Sequence, residues 1–158
     1  MPTLTVNGHT IQVDPIDADL LKLDWVTNSE GYALHFGQGG RPIVRRMHRV
    51  IMERVIDRPL NRWELIDHIN GDKLDNRRAN LRICNNSENQ HNRDLPAHNT
   101  TGYKGVYKNP RCATWHAAIT VNYKKIYLGS YRTREDAARA YDRAARELAG
   151  EFARGNLR

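Results

Sequence analysis

The sequence predicts an α+β fold in three parts: a small β-rich N-terminal part, a central strand, long loop, strand and helix, and a C-terminal three-stranded antiparallel sheet packed on one helix. Three observations carry this expectation. Leu4, Thr5 and Val6 and then Thr10, Ile11, Gln12 and Val13 flank Asn7-Gly8, the dipeptide that best accepts the positive φ angles of a two-residue hairpin turn. In the run LIDHINGDKLDNRRANLRICNNSEN two short apolar stretches enclose a dense set of turn formers. Near the C-terminus, Trp115, Ala117, Ile119 and Val121 alternate with His116, Ala118, Thr120 and Asn122, and Ala137, Ala138, Tyr141, Ala144, Ala145 and Leu148 then recur at helical spacing.

The elements follow in order. After the hairpin, residues 17–23 suit a short helix, and Trp25 and residues 32–36 read as strands broken by Asn28, Ser29, Glu30 and Gly31. The GQGGRP stretch at 37–42 is a turn or loop. Met47, Val50, Ile51 and Val55 mark a helix over 47–57 that Arg58-Pro59 discourages from continuing. Leu65, Ile66 and Asp67 form a strand, and Leu81, Arg82, Ile83 and Cys84 return as its partner. Asn85 then precedes Glu88 by three residues, a variant of the capping box that starts a helix with Asn89 in its first turn. Residues 96–101 are polar and turn-prone, suited to a linker. Strands follow at 104–108, 114–121 and 125–129, then a helix capped by Thr133 and Asp136 and ended by Gly150. The expected division is 1–46, 47–95, the linker 96–101 and 102–158.

Composition narrows the function classes. The chain has 158 residues, 39% hydrophobic and 27% charged, and no apolar run approaches the roughly 20 residues that cross a bilayer. The N-terminus lacks the basic patch, apolar core and cleavage site of a secretory signal, so an intracellular, non-secreted location without membrane association is expected. Cys84 and Cys112 form no CxxC pair, which argues against a disulfide framework and a cysteine-rich zinc site. Residues 1–95 hold 13 Lys+Arg and 13 Asp+Glu, whereas residues 96–158 hold 12 and 5. The whole excess of +7 therefore lies in the C-terminal part, the electrostatic footprint of a protein that meets a polyanion. No heptad seam or protein partner is evident, and a monomer is expected.

The chemistry concentrates at Asp67 and His68, at Asn80 twelve residues after His68, and at Asn89 nine residues further on. These residue types suit phosphodiester hydrolysis, in which a base deprotonates water while a divalent metal neutralises phosphate charge. His9, His35, His48, His98 and His116 show no metal-ligand spacing and read as surface or packing residues. Arg77, Arg78, Arg82 and Arg93 suit phosphate contacts and a solvated face equally well.

The DHINGDKLDN, ANLR and SENQHN runs together closely resemble the HNH endonucleases of the ββα-metal class, over about residues 47–93, and particularly the homing and phage-borne group with Asn at the third motif position. The upstream DADLLKLDWVTNSEGYALHF and RRMHRVIM runs look like the N-terminal part of such nucleases. The resemblance implies that His68 is the general base, that Asp67 and Asn89 are ligands of one Mg²⁺ or Mn²⁺ ion per active site, and that Asn80 braces the long loop through backbone hydrogen bonds. His91 rivals Asn89, because some relatives carry His there, and the nine-residue gap favours Asn89.

The GYKGVYKNPRCATWHAAITV, KKIYLGSYRTREDAARAYDRAA and GNLR runs resemble the AP2 DNA-binding domain over about residues 102–158. That resemblance implies a sheet in the major groove and marks Lys104, Tyr107, Lys125 and Tyr127, with Thr120 a weaker candidate. Lys108, Arg111 and Lys124 suit phosphate contacts, and alternation points Trp115 into the core. Ala118 and Thr120 stand where the plant transcription factors of that family commonly carry Glu and Arg, so their target sequence does not transfer. The expected function is metal-dependent cleavage of double-stranded DNA inside a bacterial host, by a protein encoded on a phage or mobile element. The alternative is a DNA-binding regulatory protein with an inactive HNH core.

Overall fold

The computed structural model describes residues 1–37, 44–96, 98–110 and 112–157. Nearly all of the GQGGRP stretch, and the expected phosphate contact Arg111, lie outside the described residues. The chain forms two compact units, Met1–Asn85 and Asn86–Arg158.

The first unit opens with strands β1 (Thr3–Val6) and β2 (His9–Gln12), paired antiparallel with Val6 opposite His9. Asn7 and Gly8 take φ of 50° and 79°, the turn whose twist matches that of the strands. A 3-10 turn, Pro15–Lys22, stands where the short helix is expected. Strands β3 (Trp25–Thr27), β4 (Ala33–Phe36) and β5 (Val44–Arg46) form a sheet in that order. Helix α1 (Met47–Ile56) ends at Asp57, which turns left-handed at φ 52° just before Arg58-Pro59. Strands β6 (Leu65–His68) and β7 (Leu81–Cys84) then pair antiparallel, with Asp67 opposite Arg82 and His68 opposite Leu81.

One core serves these elements apart from the exposed strand β5: Ile11 and Val13 from the hairpin, Trp25 and Ala33 from β3 and β4, Met47 and Ile51 from α1, and Ile66 and Leu81 from the β6–β7 pair. A chain this short gains most by pooling its apolar surface. Helix α1 buries Met47, His48, Ile51 and Met52. Val55, expected on that stripe, is exposed, because the buried face is centred on the 48–52 edge of the helix. Arg78 is drawn inward as well. Its Nε and Nη2 donate to the fully buried Asp17 carboxylate at 2.7 and 3.0 Å, and its backbone N–H donates to Asp14 at 2.7 Å.

The second unit contains α2 (Asn86–Asn92), strands β8 (Val106–Lys108), β9 (Trp115–Val121) and β10 (Lys124–Tyr131), with β9 central, and helix α3 (Arg134–Ala149). The Thr133 hydroxyl accepts the Asp136 N–H at 3.1 Å and caps α3. Ala137, Ala138, Tyr141, Ala144 and Ala145 pack against Val106, Ala117 and Ile119. Leu148, expected on this stripe, is exposed; the buried face of the helix ends at Ala145. Gly105 has φ of 67°, and a Cβ there would stand 2.3 Å from the Ala118 carbonyl oxygen and from the Tyr141 ring, so only glycine fits.

Asp142 is buried on α3, where its carboxylate accepts the N–H groups of Asn156 and Leu157 at 2.7 and 2.9 Å. Asn156 in turn receives the Lys104 N–H at 2.6 Å. Asn156 and Leu157 are thereby clasped to the helix and to the approach to strand β8. Asp142→Ala removes the acceptor of two backbone donors and is expected to lower the unfolding free energy by about 2–4 kcal/mol, read from urea titration. The exposed Arg139–Asp136 pair provides the control, because Arg139→Ala should cost less than about 0.5 kcal/mol.

Candidate active site

Strand β6 ends on Asp67 and His68, both buried. Across the ladder Arg82 donates from Nε and Nη2 to one Asp67 oxygen at 2.9 and 2.8 Å, which fixes the orientation of that carboxylate. The His68 ring packs in an aromatic corner. His48 from α1 meets it edge-on at 5.2 Å between centroids, and Tyr32 lies 6.1 Å from His68 and 5.2 Å from His48. Two cations cover Tyr32, Arg46 at 5.3 Å and Lys73 at 4.7 Å. On the other side His68 Nε2 lies 3.4 Å from the Asn76 side-chain oxygen.

Burial holds the His68 pKa below the ordinary histidine value, against a smaller upward pull from the Asn76 hydrogen bond and from Asp67, Asp72 and Asp75. Burial pushes His48 further, to about 3, reinforced by repulsion from His68, Arg46 and Arg49. Both rings are therefore neutral at physiological pH, the state in which an imidazole can accept a proton.

The loop between β6 and β7 is stitched at several points. Asn80 is buried; its side-chain oxygen accepts the Asn70 N–H at 3.0 Å, its amide donates to the Asp75 carbonyl at 2.8 Å, and its own carbonyl accepts the Ile69 N–H at 2.9 Å. Asn70 donates to the Asp75 carboxylate at 2.8 Å, and Arg77 pairs with the same carboxylate. Arg77, Arg78 and Arg82 thus sit in internal ion pairs, a third outcome beside phosphate contact and solvated face. His48, Tyr32 and Asn76 were not marked by sequence pattern. Their separation along the chain leaves no local spacing signal, although Asn76 lies within the DHINGDKLDN run.

In the second unit Asn89 is half-buried on α2, whereas His91 is buried. The His91 carbonyl accepts from Lys104 Nζ at 3.1 Å and from the Arg154 N–H at 3.3 Å. His91 Nε2 has no hydrogen-bond partner among the described residues, and burial together with the nearby Lys104 charge depresses its pKa. Among the described residues no three His, Cys, Asp or Glu side chains cluster as a metal site. In the first unit the Asp67 carboxylate is a hard oxygen donor of the kind that Mg²⁺ or Mn²⁺ takes alongside waters and substrate phosphates. In the second unit Asn89 carries an amide oxygen of the same class.

The outer face of the β8–β9–β10 sheet carries an aromatic row. His116 lies between Tyr107 and Tyr127, with centroids 5.5 and 5.6 Å away, and Lys125 Nζ stands 5.0 Å above the Tyr107 ring. Tyr107, Lys108, Thr120, Lys124, Lys125 and Tyr127 are all exposed. Thr120 stands opposite Lys125 in the register, and Lys108 lies 5.6 Å from the Trp115 ring. Lys104 differs from these: its Nζ donates to the carbonyls of His91 and Arg93, both at 3.1 Å, at the C-terminal end of α2. Burial and the nearby Arg154 charge lower its pKa. His116, read from sequence as a surface or packing residue, occupies the centre of the exposed row, on the face that strand alternation assigns to it.

The sequence profile described as HNH endonuclease matches residues 45–91. Protein 3.8 of Escherichia phage T7 is 35% identical over 96 residues, which cover 61% of this chain and 78% of that protein. The chain belongs to the HNH endonuclease family. Another relative, "Uncharacterized HNH endonuclease L560" of Acanthamoeba polyphaga mimivirus, is 28% identical over 135 residues, 85% of this chain and 67% of that one. The likeness to AP2 proteins also has a counterpart. Ethylene-responsive transcription factor ERN1 of Medicago truncatula is 35% identical over 86 residues, 53% of this HNH protein and 32% of the plant protein. No helix among the described residues is long and apolar enough to cross a membrane.

The depressed His48 pKa has a consequence for stability. The unfolded chain binds this proton near pH 6.5 and the folded chain near pH 3, so the contribution is complete above the unfolded value and is lost as pH falls towards the folded one. The expected loss is up to about 1.4 kcal/mol per pH unit across that window. Urea titrations at about pH 7.5 and about pH 5 should show His48→Phe with the shallower decline.

Proposed function

We propose that this HNH protein is a divalent-metal-dependent endonuclease that hydrolyses phosphodiester bonds of double-stranded DNA. The supporting observation is the buried imidazole of His68, neutral at physiological pH, beside an oriented carboxylate within the segment that matches the HNH profile. In this reading His68 accepts the proton of the attacking water. Asp67, held in place by Arg82, and Asn89, half-buried on α2, are the residues that would hold Mg²⁺ or Mn²⁺. The bound cation would supply charge neutralisation at the phosphate and at the leaving 3′ oxygen. Asn80 keeps the β6–β7 loop closed, so that His68 does not wander from its working position. The nine-residue gap after Asn80 favours Asn89 over His91 as the third motif residue.

The nuclease core would span 47–95 and the DNA-positioning part 102–158, joined by 96–101. The exposed row of Tyr107, Thr120, Lys125 and Tyr127 would enter the major groove, with Lys108, Lys124 and Arg111 on flanking phosphates. Lys104, bound to the end of α2, would act by joining that helix to the sheet. One catalytic set per chain would nick one strand per binding event, with a monomer as the working unit. The relative in phage T7 supports an origin in a phage or mobile element that acts inside a bacterial cell.

Supercoiled plasmid should be relaxed in Mg²⁺ or Mn²⁺ and left intact in chelator. Tight DNA binding without cutting in either metal would instead identify a DNA-binding regulatory protein with an inactive core. Lys125→Ala should weaken duplex binding and reduce the slope of log K against log salt by about one, measured by fluorescence anisotropy. An unchanged slope would remove Lys125 from the interface.

A further inference from the structure

We infer that Asn76 is a positioning residue, whose side-chain oxygen holds the His68 imidazole with its proton on Nε2. The inference deepens the reading of His68 as the general base and rests on it. Asn76 is 1% exposed, so its amide must be satisfied from within the protein. Its nitrogen donates to the Leu74 carbonyl at 3.2 Å. A carbonyl oxygen only accepts, which assigns the nitrogen end of the amide to Leu74 and the oxygen end to His68. The Asn76 oxygen, 3.4 Å from Nε2, likewise only accepts. In a neutral ring Nε2 is then the N–H, and Nδ1 carries the lone pair.

The remaining contacts give Asn76 little room to turn. Its backbone N–H donates to the Gln12 carbonyl at 2.9 Å, and the Gln12 N–H donates to the same Leu74 carbonyl at 2.9 Å. Gln12 ends the hairpin strand β2, between Ile11 and Val13, both fully buried. The first residues of the chain, outside the segment that matches the HNH profile, therefore set where the Asn76 amide stands. His48 and Tyr32 limit tilting of the ring on its other side. The 3.4 Å separation is at the long end of the hydrogen-bond range, as is common for catalytic contacts before substrate is bound. A base whose proton sits on one defined nitrogen presents its lone pair in one direction, whereas an imidazole that exchanges tautomers presents it there for part of the time only.

The test is spectroscopic and does not depend on cutting. The full chain, labelled with ¹⁵N on histidine, is observed by long-range ¹H–¹⁵N correlation above neutral pH, and the His68 signals are identified by their loss in His68→Ala. The unmodified protein should show a protonated Nε2 and an unprotonated Nδ1. Asn76→Asp, which keeps an acceptor oxygen, should retain that pattern. Asn76→Leu, which removes the acceptor at similar volume, should average the two nitrogens and lower the single-turnover cleavage rate about 10–100-fold with DNA affinity unchanged. A protonated Nδ1 in the unmodified protein, or an undisturbed pattern in Asn76→Leu, overturns the inference. Should Asn76→Leu fail to fold, the spectra of the unmodified and Asn76→Asp proteins decide alone. Cleavage by the His68→Ala protein would refute the base reading and leave the tautomer assignment standing.

Discussion

The closure of the loop between β6 and β7 is the constraint on which the candidate site depends. Twelve residues of polar, turn-forming chain would not hold an imidazole still by themselves, because each ordered residue costs about 1–2 kcal/mol of backbone entropy. Asn80, the last residue of the loop, offsets that cost by bonding to its start at Asn70 and to its middle at Asp75, and the Arg77–Asp75–Asn70 contacts reinforce that closure. The hairpin adds a short parallel bridge through Gln12 and Asp75. The loop is consequently an extension of the core, and His68 stands where buried strand meets ordered loop.

This arrangement explains why the first unit cannot be reduced to its motif. The β6–β7 pair is two strands, too little to be stable by itself. It borrows its core from α1, from the β3–β4–β5 sheet and from the hairpin, while Arg78 and Asp17 tie the last turn of the loop to the 3-10 turn far upstream in sequence. Burying this ion pair carries a desolvation cost, which the two side-chain bonds and the additional Arg54 contact offset. The second unit solves a similar problem differently. Its alanine-rich helix approaches the sheet closely, and Asp142 fastens the tail that follows it. The opposite sheet face is left to exposed aromatic and basic side chains.

What could be read from sequence was what local chemistry decides. Asn7-Gly8 demands a hairpin turn, Thr133 with Asp136 marks a helix start, and the alternation through residues 115–121 assigns two sheet faces, so these features and the α+β class follow without knowledge of distant partners. Features selected by tertiary contacts were hidden. Strand β5 is three exposed residues with no alternation, and Val55 and Leu148 fit helical stripes whose buried faces are centred or end elsewhere. Arg78 is indistinguishable in sequence from a phosphate-binding arginine until Asp17 is placed beside it. The same holds at the candidate site: Asp67, His68, Asn80 and Asn89 were marked by the resemblance and by chemical suitability, whereas Tyr32, His48 and Asn76 gain meaning only when the fold gathers them around one imidazole.

In the proposed reaction the His68 imidazole takes the proton from the attacking water. Single-turnover cleavage of a duplex by His68→Ala, with protein in saturating excess and Mg²⁺ present, tests this most directly when duplex affinity is measured in parallel. The expected rate is lower by about 10²–10⁴-fold with binding preserved. Cleavage at the unmodified rate would contradict this role of His68.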